Sequence, residues 1–393
     1  LEENGYTFRS STDSEVLVNL IEYIRTTGGC TLLEAVQQAL RQVVGAYAIA
    51  VIEKGNRDEI IAARQSSPMA IGIGEGEFFL SSDAASVIEY TQDFVYVNDG
   101  EIAVINRHKP LKIVTLDNHE GRVDIKKLQM SISQLEKGGY PHFMLKEIYE
   151  QPTAIHNSLL GSLDEIMAEG TLTDVDAGTV KLVACGTSYH ASMVGKYIIE
   201  ALAKIPTTVE LASEYRYSPG TGENPLTVLV TQSGETADTL AAAREAKRRG
   251  CHTLAVTNVV GSTIAREADG VFYTKAGPEI GVAATKTYST QLMAMYLLGL
   301  RLGYLRKTMG RDEIRLLSSE LRSMPQYVRG VLDRVSEVEE AIDLLVDAKD
   351  VFFLGRNINY PTMLEGALKL KEISYIHAEG YACLLYTSDA ADD

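Results

Sequence analysis

From Thr179 onward the chain alternates short apolar runs with stretches of helical periodicity, and this pattern constrains its fold most tightly. The runs are Val180 to Ala184, Leu226 to Thr231, Thr253 to Thr257 and Gly270 to Thr274. Helical patterns reach Ala203 and Arg249, and a long helix is expected from about Ala283 to Arg306. Such alternation builds a parallel sheet with helices on both faces. A second copy of the opening unit follows. Val351-Phe-Phe-Leu-Gly355 and then Tyr360 to Ile373 repeat the strand, glycine turn and helix of Lys181 to Ile199, with Gly186 and Gly355 in equivalent places. That copy offers one strand and one helix, too little to bury its own apolar face, so it reads as a tandem repeat cut short.

The first third follows another rule. Ser14 to Tyr23 and Thr31 to Val43 carry apolar residues at three- and four-residue spacing, as amphipathic helices do. From Ala46 to Thr115, runs such as Ala46 to Ile52, Glu59 to Ala63, Phe94 to Val97, Glu101 to Ile105 and Lys112 to Leu116 are separated by glycine-, asparagine- and proline-bearing turns. This predicts a mainly antiparallel, hairpin-rich sheet. Between about Asp117 and Asp176 the sequence turns polar and mostly helical, the character of a linker.

Composition narrows the function classes. At 393 residues, and about 150 per domain, two or three domains are expected. Lys plus Arg number 37 against 53 Asp plus Glu, and the net charge of -16 argues against a nucleic-acid backbone or an anionic membrane as partner. An anionic ligand must then be held by local geometry. Cys30, Cys185, Cys251 and Cys383 form no CxxC pair and have no His at metal-ligand spacing, so they read as reduced thiols of a cytoplasmic protein without a structural zinc site. The most apolar stretch, Ser289 to Leu302, is broken by Gln291, Gly299 and Arg301 and is too short for about 30 Å of hydrocarbon. Nothing after Leu1 resembles a secretion signal, and a start on Leu1 reads as a chain missing its beginning.

Two loops carry the chemistry. Thr187 and Ser188 follow the first parallel strand; Thr231, Ser233 and Thr236 follow the second, with Gly186 and Gly234 allowing tight turns. Each loop opens a helix, where unpaired N–H groups and the helix dipole favour an anion. Neither matches GxGxxG or GxxxxGK[ST], and no lysine follows either glycine. A phosphate monoester held by hydroxyls and amides fits better, although Ser and Thr are also ordinary helix caps. On the last helix Glu365, Lys369 and Glu372 share one face. They could move protons beside a carbonyl, or could be plain ion pairs on a solvated face. His377 is the histidine nearest this helix and is given no role.

Cys185-Gly-Thr-Ser188, Gln232-Ser-Gly-Glu-Thr236, Glu279-Ile-Gly-Val-Ala283 with Thr285-Lys286, and the run from Leu364 to Glu379 together resemble the glutamine:fructose-6-phosphate aminotransferase (isomerising) family. With Thr12-Asp-Ser-Glu15 and Lys146-Glu-Ile-Tyr-Glu-Gln-Pro152 the resemblance covers nearly the whole chain. It implies a multi-domain α/β fold, in which a partial N-terminal-nucleophile glutaminase layer precedes SIS-type doubly wound parallel-sheet domains, the second truncated. The boundaries it implies are a partial glutamine amidotransferase domain over 1–125, a linker over 126–170, a first SIS domain over 171–311, a helical linker over 312–340, the start of a second SIS domain over 341–382 and a tail foreign to the family over 383–393.

The implied activity is glutamine-dependent amination and isomerisation of fructose 6-phosphate to glucosamine 6-phosphate, feeding amino-sugar synthesis, with no metal or organic cofactor and usually in a homodimer. Carried onto this chain, Ser188, Ser233 and Thr236 bind the sugar phosphate together with Gln232 and groups near Thr187, and Val282 contacts the sugar. Glu372 shuttles the proton between the first two sugar carbons with help from Lys369, and Asp13 pairs with the α-amino group of glutamine. Departures accompany the match. The family's N-terminal cysteine would precede Leu1, leaving the glutamine site incomplete; the segment after Tyr381-Ala382 lacks the family's Lys-His-Gly; and Ala284 stands where serine is common. The chain taken alone is therefore expected to be inactive. The rival readings are a stand-alone sugar-phosphate isomerase and a non-catalytic sugar-phosphate-binding SIS module.

Overall fold

The structure is a computed structural model that describes residues 1–82, 84–127, 136–163, 175, 177–220 and 225–382. It divides into two compact units, 1–135 and 136–393.

The first unit opens with α1 (Asp13–Gly28) and α2 (Leu32–Leu40). Thr31 starts α2 with a capping box, its hydroxyl accepting from the Glu34 amide while the Glu34 carboxylate accepts from the Thr31 amide. Eight strands follow: β1 (Tyr47–Glu53), β2 (Asn56–Gln65), β3 (Ala70–Ile73), β4 (Phe78–Ser81), β5 (Asp93–Tyr96), β6 (Glu101–Asn106), β7 (Lys112–Thr115) and β8 (Ile125–Lys127). They form two antiparallel sheets, ordered β1-β2-β6-β7 and β4-β3-β5-β8. β2 shows how the layers stack. Ile61 and Ala63 bury under Val36 and Leu40 of α2, whereas Ala62, on the opposite face, packs with Ile71 and Val95 of the other sheet.

The second unit begins with α3 (Phe143–Leu159), then runs β9 (Val180–Ala184), α4 (Gly186–Ala203), β10 (Thr207–Leu211), α5 (Ala212–Tyr215), β11 (Leu226–Val230), α6 (Ala237–Arg248), β12 (Thr253–Thr257), α7 (Thr263–Glu267), β13 (Gly270–Tyr273) and α8 (Lys286–Leu305). The sheet is parallel throughout, in the order β10-β9-β11-β12-β13. Successive residues of β9 bury on opposite sides: Leu182 and Ala184 meet the core built on α4 and α8, and Val183 meets that built on α5 and α6. Helices thus cover both faces, as expected.

Two elements within the stretch 126–170 are not linker. β8 belongs to the first unit, and α3 sends Ile155 and Leu159 into the core with Leu182 and Val228. Its polar composition is no sign of exposure, because Lys146 and Glu147 are themselves buried. Residues 128–135 and 164–170 of that stretch, and the tail 383–393, lie outside the described residues. After α8 come α9 (Arg311–Leu332), which packs against α3 and buries Ile314, Ser318 and Leu321, and α10 (Val335–Leu345).

The last segment holds two strands where the sequence offered one. β14 (Asp350–Leu354) and β15 (His377–Tyr381) pair in parallel across α11 (Asn359–Ser374). His377-Ala-Glu-Gly-Tyr381 is no apolar run, so periodicity could not reveal it. Gly186 and Gly355 also serve different ends. Gly186 takes the left-handed φ of 55° in open space, whereas a Cβ on Gly355 would stand 2.6 Å from the Asn359 carbonyl oxygen. Among the described residues no helix is long and apolar enough to cross a membrane.

Candidate functional site

The strand order sets the location. From β9 the chain crosses to β10 on one side and on to β11 on the other, so a crevice opens beyond the C-terminal ends of β9 and β11. Both hydroxyl-bearing loops lie there. Cys185, Gly186, Thr187 and Ser188 from the first, and Thr231, Gln232, Ser233 and Thr236 from the second, line one cavity of ≈ 220 Å³. Val230 of β11, Thr239 of α6, Ala284 just before α8, and Thr287 and Gln291 in its first two turns complete its wall.

Helix capping does not use up these hydroxyls. The residues that precede α4 and α6, Cys185 and Thr236, make no side-chain capping bond. Within the second loop the Gly234 amide donates to Thr231 Oγ1 at 3.3 Å, the Glu235 amide donates to Ser233 Oγ at 3.1 Å, and the Thr231 and Thr236 hydroxyls lie 3.2 Å apart. Glu235 turns away and accepts from the Thr263 amide and hydroxyl at 2.7 and 2.8 Å, tying the loop to α7. Gly234 has φ 69°, and a Cβ there would press on Ser262. Across the cavity Gln291 Nε2 donates to Ser188 Oγ at 2.9 Å. Gln291 Oε1, Thr287 Oγ1 and Thr239 Oγ1 are buried and make no hydrogen bond among the described residues. Each such group costs about 1–3 kcal/mol unless a ligand or water satisfies it.

On α11, Glu365 is buried and Lys369 half-buried against α4, whereas Glu372 at the end of the same row is exposed. Lys369 Nζ donates to Thr187 Oγ1 at 3.1 Å, and Thr187 Oγ1 donates to Glu365 Oε1 at 2.9 Å. Lys369 Nζ also lies 2.6 Å from Glu372 Oε2. Lys369 and Glu372 themselves do not line the cavity; Thr187 joins them to it. Sequence reasoning missed His190, whose Nδ1 lies 2.7 Å from Glu365 Oε2. Its place one turn after Thr187 on α4 was the available signal.

Val282 stands apart from this group, fully exposed and outside the cavity lining. It belongs to the segment that connects β13 to α8. There Glu279 accepts from the Thr285 and Thr287 amides at 2.7 and 3.2 Å. Burial holds its carboxyl above the ordinary value of 4.5, and neighbouring Glu147 adds to the rise. Asp13 lies in the first unit, exposed at the start of α1. Nearby, Glu15 accepts from the Arg9 and Ser10 amides at 2.7 Å each. The Ser10 hydroxyl, followed by these amides, lowers the Glu15 carboxyl below its ordinary range.

Residues 175–301 match the SIS domain family, and residues 1–89 match the glutamine amidotransferase domain family. Over 390 residues the chain is 48% identical to a glutamine–fructose-6-phosphate aminotransferase (isomerizing) of Bacteroides thetaiotaomicron, covering 97% of this chain and 64% of that protein. Among solved structures, the C-terminal domain of glucosamine-fructose-6-phosphate aminotransferase from Francisella tularensis is similar at TM-score 0.59 and 42% identity, over 63% of this chain and 71% of that one. Glucosamine-6-phosphate deaminase from Thermotoga maritima is similar at TM-score 0.52 and 26% identity, over 62% of this chain and 71% of that one. The chain spans about 64% of the length of the curated relatives it matches.

Proposed function

Because this chain belongs to the glutamine–fructose-6-phosphate aminotransferase family, we propose that its second unit binds fructose 6-phosphate between the β9 and β11 loops, as part of glutamine-dependent conversion of that sugar to glucosamine 6-phosphate. One observation carries the reading: two hydroxyl-rich turns converge on one cavity, and a lysine–carboxylate pair reaches that cavity through Thr187.

A phosphate monoester carries about −1.5 to −2 charge, and this protein carries -16. Binding therefore rests on directed donors rather than on bulk charge. Ser188, Ser233 and Thr236 supply hydroxyls with Thr187 and Gln232 beside them, and the first turns of α4 and α6 add N–H groups and the positive end of the helix dipole. Glu372 is the base that takes the proton from C1 or C2 of the open sugar and returns it to the other. A base of this kind must lie within hydrogen-bond reach of the migrating proton. Lys369, 2.6 Å from it, orients that carboxylate. In the first unit Asp13 pairs with the α-amino group of glutamine, the source of nitrogen.

Calorimetry of fructose 6-phosphate on the chain and on its Ser188→Ala, Thr236→Ala variant tests the shared step. The variant is expected to lose about tenfold or more in affinity; equal heats from both would remove the proposal. Likeness to the Thermotoga deaminase keeps a second reading in view, sugar-phosphate isomerisation without an amidotransferase. The match of residues 1–89 to a glutamine amidotransferase domain favours the first.

A further inference from the structure

We propose that Glu147, on α3, is a positioning residue that holds the segment between β13 and α8 as the sugar-facing wall of the cavity. This rests on the reading of that cavity as a sugar-phosphate site. The Lys146 to Pro152 motif lies outside both matched domain regions and has no part in the chemistry above. Yet Glu147 is buried, and its Oε1 accepts from the Ile280 and Gly281 amides at 2.6 and 3.0 Å. Its Oε2 makes no hydrogen bond among the described residues and lies where a Cβ on Gly281 would come within 2.6 Å. A glycine at 281 is thus what lets the carboxylate approach.

Other contacts secure the same segment. Glu279, half-buried, binds the amides of Thr285 and Thr287, so backbone on both sides of Val282 to Ala284 is held by a carboxylate. Lys286 Nζ lies 2.6 Å from Glu150 Oε2, and Ser289 donates to Gln151 at 2.5 Å, which ties the first turn of α8 to α3. Ala284, Thr287 and Gln291, the wall opposite the hydroxyl loops, follow directly from these anchors. A buried carboxylate with one unpaired oxygen is an expensive way to fill space. As a fixed double acceptor for two consecutive amides it sets where the wall stands.

The test titrates two probes, fructose 6-phosphate and inorganic phosphate, into the full chain and its variants by calorimetry. Glu147→Ala is expected to weaken fructose 6-phosphate by about tenfold or more and to change inorganic phosphate by less than about twofold, because the phosphate is held by the opposite loops. Glu147→Gln keeps the acceptor and is expected to stay within about threefold of the parent for both. Amide exchange at Ile280 and Gly281 should quicken in Glu147→Ala and not in Glu147→Gln. Gly281→Ala should weaken the sugar phosphate alone, and should add no further loss in the Glu147→Ala background. An equal loss for both probes, or no loss for either, overturns the inference. If Glu147→Ala does not fold, Gly281→Ala decides, and unchanged sugar-phosphate affinity there also overturns it. If the parent chain binds neither probe, the sugar-phosphate reading fails instead, while the exchange rates still report whether Glu147 holds the segment.

Discussion

Two glycines measure how closely the two hydroxyl-bearing loops are specified. Gly186 and Gly234 both take a left-handed φ, 55° and 69°, but only Gly234 has a neighbour, Ser262, in the space a side chain would need. Left-handed backbone costs about 1–2 kcal/mol for a residue with a Cβ, and forced contact adds to it. Gly186→Ala is therefore expected to lose about 1 kcal/mol of second-unit stability and Gly234→Ala about 2 kcal/mol or more, read by urea denaturation; equal losses would refute the role given to Ser262. Glu279 makes a pH prediction. Its folded-state carboxyl sits above the ordinary 4.5, so the folded protein binds more protons than the unfolded chain above that value. Stability contributed here falls as pH rises from about 4.5 through the raised folded value. Glu279→Gln keeps the amide acceptor and loses the titration, so it should flatten that part of the stability–pH curve; an unchanged slope would contradict the assignment. At this scale the hydroxyl positions were legible because loop and strand end are adjacent in sequence. His190, Gln291 and Glu147 were not, because their partners Glu365, Ser188 and the Ile280 amide lie far along the chain.

Among the elements, α2 depends on its first residue more than α1 does. Thr31 closes a capping box with Glu34, while Thr12 makes no capping bond to α1. Thr31→Ala should destabilise the first unit by about 1 kcal/mol and Thr12→Ala by less than about 0.5 kcal/mol, measured by thermal unfolding; the reverse order would show that the box adds nothing. The strands legible in the sequence were those with continuous apolar runs, such as β9, β11 and β12. β3 is four residues interrupted by Gly72, and β8 is largely lysine. β10 mixes Thr207, Thr208 and Glu210 into its five residues, and β15 reads His-Ala-Glu-Gly-Tyr. Such strands owe their pairing to a neighbour already in place, and periodicity within the strand does not reveal it. α3 was visible as helical but read as part of a linker, because the stretch around it is polar. Glu147 finds its partners in the segment before α8, Glu150 in Lys286, and Lys146 in the Glu136 carbonyl and Glu150.

For the whole molecule, the order of an antiparallel unit followed by a parallel one was legible, since hydrophobic period and turn chemistry change between them. The division at residue 135 was not, because polar composition ran on into a helix that belongs to the second core. The account stands or falls on what occupies the crevice of the second unit. A crystal structure of the chain with fructose 6-phosphate examines this directly. The expected result places the phosphate between the turns after β9 and β11, its oxygens within about 3.2 Å of the Ser188 and Thr236 hydroxyls, with the sugar extending toward Lys369 and Glu372. Phosphate bound elsewhere, with that crevice holding only water, would contradict it.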